Sequence, residues 1–220
     1  MLISQVMQFV EPSREVLAET LLAAGPGAPT LCEGWQTQDL AAHLYLREHN
    51  PRAGLGMVLK PWRKATEKAI AELALASSTP AAFAELVEKF RAGPPKLSLF
   101  ALKSVDHTAN LTEFFIHTED VRRASDRWAP RTLDAAYSGA LWTELVKRAA
   151  ILYRGVDLGI VLVNPAGPRH VAKRAPVSVA IIGTPGELLM HANGRTGEAL
   201  VSFEGQPDAV ALLRTAELGF

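Results

Sequence analysis

The sequence predicts an α+β protein: a helical region over 1–154, then a small α+β domain over 155–220. Three observations carry this reading. Between Ser13 and Arg154 apolar residues recur at three- and four-residue spacing, with Gly and Pro mostly at the joints. After Gly155 the pattern changes to β-branched runs, Gly159-Ile-Val-Leu-Val163 and Val177-Ser-Val-Ala-Ile-Ile182, separated by the turn-rich Asn164-Pro-Ala-Gly-Pro168. A chain of 220 residues that is 48% hydrophobic is also long enough to bury a sizeable core.

The helical spacing predicts helices over 13–24, 37–49, 59–76, 80–92, 97–125 and 133–153. Gly25-Pro26, Asn50-Pro51 and Gly93-Pro94-Pro95 read as stops, Thr79-Pro80 as a start with Pro at the first helical position, and Thr37 as an N-cap. Strands follow at 159–163 and 177–182, then a short helix at 185–192 ended by Asn193-Gly194, a strand at 199–203 and a last helix from Pro207. The basic stretch holding Arg169, His170, Lys173 and Arg174 reads as a solvated hairpin.

Charge is balanced, with 23 basic and 23 acidic residues, which argues against a nucleic-acid-binding surface. No apolar run approaches the roughly 18 residues needed to span a bilayer, so no membrane segment is expected. The single cysteine, Cys32, cannot form an intrachain bridge, and the first ten residues lack a basic start and a cleavage site. A cytoplasmic location is the expectation.

The chemistry concentrates in two polar seams. Asn110, Glu113, His117 and Asp120 are spaced three, four and three residues apart, which puts them within about 80° on one helix face. The same helix carries Leu111, Phe114, Phe115, Ile116 and Val121, so it is expected to be buried and its seam to face an internal polar site. Asp39, His43, Arg47 and Asn50 form the second seam beside Leu40, Ala41, Ala42, Leu44 and Leu46. Where two such helices face each other, His43 can meet Glu113 and His117, and two imidazoles with one carboxylate make a catalytic-type zinc set with one open position. Asn110 and Asp120 would then orient the ligands, and Arg47 could clamp a substrate carboxylate.

Each of these residues also has a bland reading. Glu-x-x-x-His is common on helix surfaces, where it contributes a few tenths of a kcal/mol. Cys32 has no general base near it in sequence and reads as a buried apolar residue. Trp35 reads as an anchor for the helix start, or as a wall of the site. His107 reads as structural, and His49 and His191 as cations at helix ends.

The segment Leu31-Cys-Glu-Gly-Trp35, then Asp39-Leu-Ala-Ala-His43-Leu, then Arg47-Glu48 and Pro51, resembles the first metal-ligand helix of mycothiol-dependent maleylpyruvate isomerase-like proteins. Those proteins belong to the DinB-like metal-binding bundle superfamily. Asn110-Leu-Thr-Glu-Phe-Phe-Ile-His117-Thr-Glu-Asp-Val-Arg-Arg-Ala124 resembles their second motif, with a Glu and a His four apart. The resemblance implies a four-helix bundle followed by a small α+β domain, and the ligand triad His43, Glu113 and His117. It further implies a divalent metal, zinc by ligand type, and a low-molecular-weight thiol such as mycothiol, bound as thiolate and attacking a small electrophilic substrate in an isomerase or thiol-transferase reaction. A metal-dependent hydrolase and a non-catalytic metal-binding protein stand as alternatives. Because an arginine of the C-terminal domain reaches the active site in that family, Arg195 is a candidate for binding a substrate or thiol carboxylate, against a reading as a helix-end cation.

Overall fold

The computed structural model describes residues 2–58, 60–94 and 103–219. Packing divides the chain into two units, Met1–Pro130 and Arg131–Phe220.

In the first unit, α1 (Leu2–Ala24), α2 (Thr37–His49), α3 (Pro51–Val58), a 3-10 turn (Lys60–Trp62), α4 (Arg63–Ala76), α5 (Pro80–Arg91) and α6 (Lys103–Arg122) follow in order. α1 packs on α6 and α5, and α2 packs on α5 and α4. The seam between them is filled by the fully buried Leu17, Leu21, Leu40, Leu44, Phe83, Phe90, Leu111 and Phe114. Each such side chain contributes about 1.5–3 kcal/mol relative to exposure.

Local signals account for most helix ends. Thr79 caps α5 by accepting from Ala82 N–H at 3.3 Å, and Pro80 stands in its first turn. Asn50-Pro51 ends α2 and also opens α3. Asn50 Oδ1 accepts from the N–H groups of Arg52 and Ala53, and Pro51 at the first helical position lacks only an N–H that would have no helical partner. The expected helix over 59–76 accordingly begins at Arg63, after that extra element. α1 continues through Pro12 instead of starting at Ser13. Residues 97–102 of the expected helix over 97–125, Leu59, and the side chain of His107 lie outside the described residues.

The second unit opens with α7 (Ala135–Leu152), capped by Asp134 accepting from Tyr137 N–H at 2.7 Å. β1 (Gly159–Val163), β2 (Arg169–Lys173), β3 (Ser178–Ile182), α8 (Pro185–Ala192), β4 (Ser202–Glu204) and α9 (Pro207–Arg214) complete it. The sheet order is β2-β1-β3-β4, with β1 parallel to β3 and the outer pairs antiparallel. β1 lies centrally and buries Ile160 and Leu162, paired with Val179 and Ile181. β2, expected as a solvated hairpin, is an edge strand. It buries Ala172 alone, which is why its pattern is weak; Arg169 is exposed, and an exposed charge helps an edge avoid further pairing, whereas Lys173 folds back to donate to Val156 O and Arg154 O.

α7 packs on α8 and β2, so packing divides the chain before α7, whereas the change of period falls near Gly155. Periodicity reports the type of an element, and packing decides the layer it joins. Within this unit Arg195 N–H donates to Met190 O and its guanidinium to Asn193 O at 2.7 Å, closing the turn after α8. His191, expected to complement the end of α8, is buried, with the Tyr153 hydroxyl 3.0 Å from its Nδ1.

Candidate metal centre

The ends of α2 absorb half of its polar seam. Gln36 precedes the helix and donates its N–H to Asp39 Oδ2 at 3.0 Å, while Asn50 caps α3. Thr37, expected as the cap, is the first helical residue, and its hydroxyl donates to Gly25 O. His43 and Arg47 remain, one turn apart, to face α6. From Asn110 onward α6 is buried on nearly every side, including Asn110, Thr112, Thr118, Glu119 and Asp120.

Across the two helices His43 Nε2 lies 3.0 Å from Glu113 Oε1, and the same oxygen lies 3.2 Å from His117 Nε2. The imidazoles meet edge to face at 5.4 Å between centroids. Two nitrogen or oxygen ligands of a tetrahedral ion stand about 3.3 Å apart. Both contacts of Glu113 are within a few tenths of an ångström of that, and all three ligand atoms lie within 4.8 Å of one another, which suits one divalent ion. Glu113 keeps 27% of its side chain exposed against 13% for His43 and 10% for His117, so the open side of the triad is Glu113's.

Burial works against charge at all three residues, and the neighbours decide the outcome. His43 is depressed below its ordinary value, because burial outweighs its contact with Glu113. Burial would raise Glu113, but the Arg47 charge and the two imidazoles hold it well below the usual carboxylate range. Burial would depress His117, yet hydrogen bonds to Asp120, Cys32 and Glu113 hold it well above. Glu113 and His43 therefore stand ready as ligands, whereas His117 gives up a proton when an ion binds.

Behind the triad, His117 Nδ1 is 2.8 Å from Asp120 Oδ2. The tautomer that leaves Nε2 for an ion carries its proton on Nδ1 and donates it there, which fixes the ring plane. Cys32 Sγ donates to the same carboxylate oxygen at 3.2 Å and lies 3.8 Å from His117 Nδ1. Sequence reasoning missed this contact because 88 residues separate Cys32 from Asp120 and no local spacing signals it. Trp35 stands beside the centre, its ring 5.1 Å from that of His43.

Arg47 takes a more constrained place than a free clamp. Its Nε is 3.7 Å from Glu113 Oε1, and its Nη1 donates to Asn110 Oδ1. Asn110 thus accepts from Arg47, and its Nδ2 donates to Glu48 Oε1 at 3.4 Å. Glu48 accepts from Arg14 through both oxygens, at 2.6 and 2.8 Å, and the Arg14 guanidinium lies over Phe90 and Phe114 at 5.0 and 4.8 Å. A buried chain of polar contacts thus runs from α1 through α2 and α6 to Glu113. Arg14 and Glu48 were not legible as partners, since the pair spans 34 residues.

No family model matches the chain, and no curated protein matches it. Two solved structures do, those of mycothiol-dependent maleylpyruvate isomerase and of a mutant of it, each with 17% identity over 93% of this chain and 94% of the other. Their TM-scores are 0.58 and 0.57 respectively. The chain therefore has the fold of mycothiol-dependent maleylpyruvate isomerase.

Proposed function

We propose that the protein is a zinc-dependent enzyme of the mycothiol-dependent isomerase and thiol-transferase type, acting on a small electrophilic substrate. The observation that carries this reading is the convergence of His43 Nε2, Glu113 Oε1 and His117 Nε2, all within 4.8 Å of one another. The shared fold supports the thiol. Held there, a divalent ion would supply Lewis acidity, lowering the pKa of a thiol or a water molecule. The chain's own residues do the rest. Asp120 holds the His117 ring, and the Trp35 ring screens one side of His43 from water. Arg47 uses Nε and Nη1 on Glu113 and Asn110, which leaves Nη2 for an anionic group of the substrate.

The test uses a Cys32→Ala variant, so that no protein thiolate contributes. Its cobalt form titrated with mycothiol is expected to develop a thiolate-to-metal charge-transfer band, and thiol is expected to raise its melting temperature. A spectrum unchanged at saturating mycothiol, with one cobalt bound per chain, would remove the thiol from the reading and favour a hydrolase or a non-catalytic site.

A further inference from the structure

The side of His117 that faces away from the triad carries its own donor set. Cys32 Sγ, Asp120 Oδ2 and His117 Nδ1 form a triangle with sides of 3.2, 3.8 and 2.8 Å. Around a tetrahedral zinc-like ion, a sulfur ligand at about 2.3 Å and nitrogen or oxygen ligands at about 2.0 Å would stand about 3.3–3.6 Å apart. The triangle is within about half an ångström of that on each side. We propose that Cys32, Asp120 and His117 form a second metal site, for a thiophilic divalent ion such as Zn²⁺ or Cd²⁺, that shares the His117 ring with the first.

The loop that brings Cys32 there is pinned on both flanks. Leu31 N–H donates to Asp120 O at 3.0 Å, tying the loop to the end of α6. Thr30 Oγ1 accepts from Cys32 N–H and donates to Trp35 O, and Trp35 N–H donates to Cys32 O. Gly34, at φ +73°, takes the left-handed turn that closes this loop before α2. Cys32 therefore needs no rearrangement of the backbone to act as a ligand.

Charge favours an ion in this place. Asp120 is fully buried, and a buried carboxylate has to be neutralised. The Cys32 thiol and His117 Nδ1 both direct protons at it. An incoming divalent ion displaces the Cys32 thiol proton and the His117 Nδ1 proton to solvent, and the ring keeps a proton on Nε2 that Glu113 accepts, so His117 serves one site at a time. A thiolate, a carboxylate and a neutral imidazole then carry two negative charges against the two positive ones, so the loaded site is neutral. The thiolate selects soft or borderline ions over Mg²⁺ and Mn²⁺. The triad, with one carboxylate, keeps a positive charge when loaded, which suits chemistry, whereas the neutral site suits retention of the ion.

The test is a Cd²⁺ titration of the chelator-stripped protein, followed by ultraviolet absorption and metal analysis, on the wild type, Cys32→Ala and His43→Ala. The wild type and His43→Ala are expected to develop a sulfur-to-cadmium charge-transfer band saturating at one equivalent per thiol, unaffected by excess Mg²⁺. Cys32→Ala is expected to lose the band while keeping its melting temperature without metal. Absence of the band from both the wild type and His43→Ala, or its persistence in Cys32→Ala, overturns the second site. A band in the wild type with no ion bound by Cys32→Ala upholds the second site and removes the first, so the two proposals fail separately.

Discussion

His117 in the first unit and His191 in the second are both buried histidines on helices, and their surroundings drive them in opposite directions. His117 has Glu113 on one ring nitrogen and Asp120 with Cys32 on the other, and these overcome burial to hold it well above its ordinary value. His191 has the neutral Tyr153 hydroxyl on Nδ1 and the Tyr153 and Phe203 rings beside it, so burial goes unopposed and lowers it to about 4. Burying an imidazole is therefore not enough to make a site. Carboxylates arranged on both ring nitrogens distinguish a donor cluster from a satisfied core histidine.

The largest effect is expected from removing that cluster. A His43→Ala, His117→Ala double variant should lose its divalent ion on dialysis, as read by metal analysis, whereas His191→Gln should retain it. Full metal occupancy in the double variant would falsify the assignment and erase the contrast between the two histidines.

Next is the buried chain behind the centre. Glu48→Ala leaves the Arg14 guanidinium buried without its carboxylate, and should cost about 3–5 kcal/mol in chemical denaturation. Arg14→Met with Glu48→Leu should recover most of that loss, because apolar groups of similar size need no neutralising partner. A double variant as unstable as Glu48→Ala would mean that the pair itself, and not the orphaned charge, holds α1 to α2.

The third prediction sharpens the comparison at His191. Between pH 6.5 and 4 the unfolded chain takes up a proton that folded His191 refuses. The stabilising share is thus complete above about pH 6.5 and falls by up to about 3 kcal/mol as the pH drops to 4, with no further loss below. His191→Gln keeps an acceptor for Tyr153 but does not titrate. Denaturation curves across this range should be less steeply pH-dependent for the variant than for the wild type, and identical slopes would place the titration elsewhere.

The smallest effect is expected at Asp120. Asp120→Asn keeps an oxygen near His117 Nδ1 but removes the charge, and should weaken metal binding about 10- to 100-fold without abolishing it. Unaltered affinity in a competition titration would show that the outer carboxylate does not tune the ligand.

Much of the first unit was legible because its signals are local. Periodicity located α2, α5 and the described part of α6, and spacing put Glu113 and His117 on one face. The same logic blurred where a local signal has two meanings. Asn50-Pro51 stops one helix and starts another, and the polar alternation of β2 reads equally as a loop, because an edge strand with one small buried residue carries little apolar pattern.

Local order along the chain determined which elements form and which side chains share a helix face, since both follow from the 3.6-residue turn and the chemistry of caps. Which face meets which was decided by the tertiary structure. His43 against Glu113, Arg14 against Glu48 and Cys32 against Asp120 are separated by 70, 34 and 88 residues. Contacts of that range follow from how helices pack to bury Leu17, Leu40, Phe90 and Phe114, a collective requirement that no window of sequence contains.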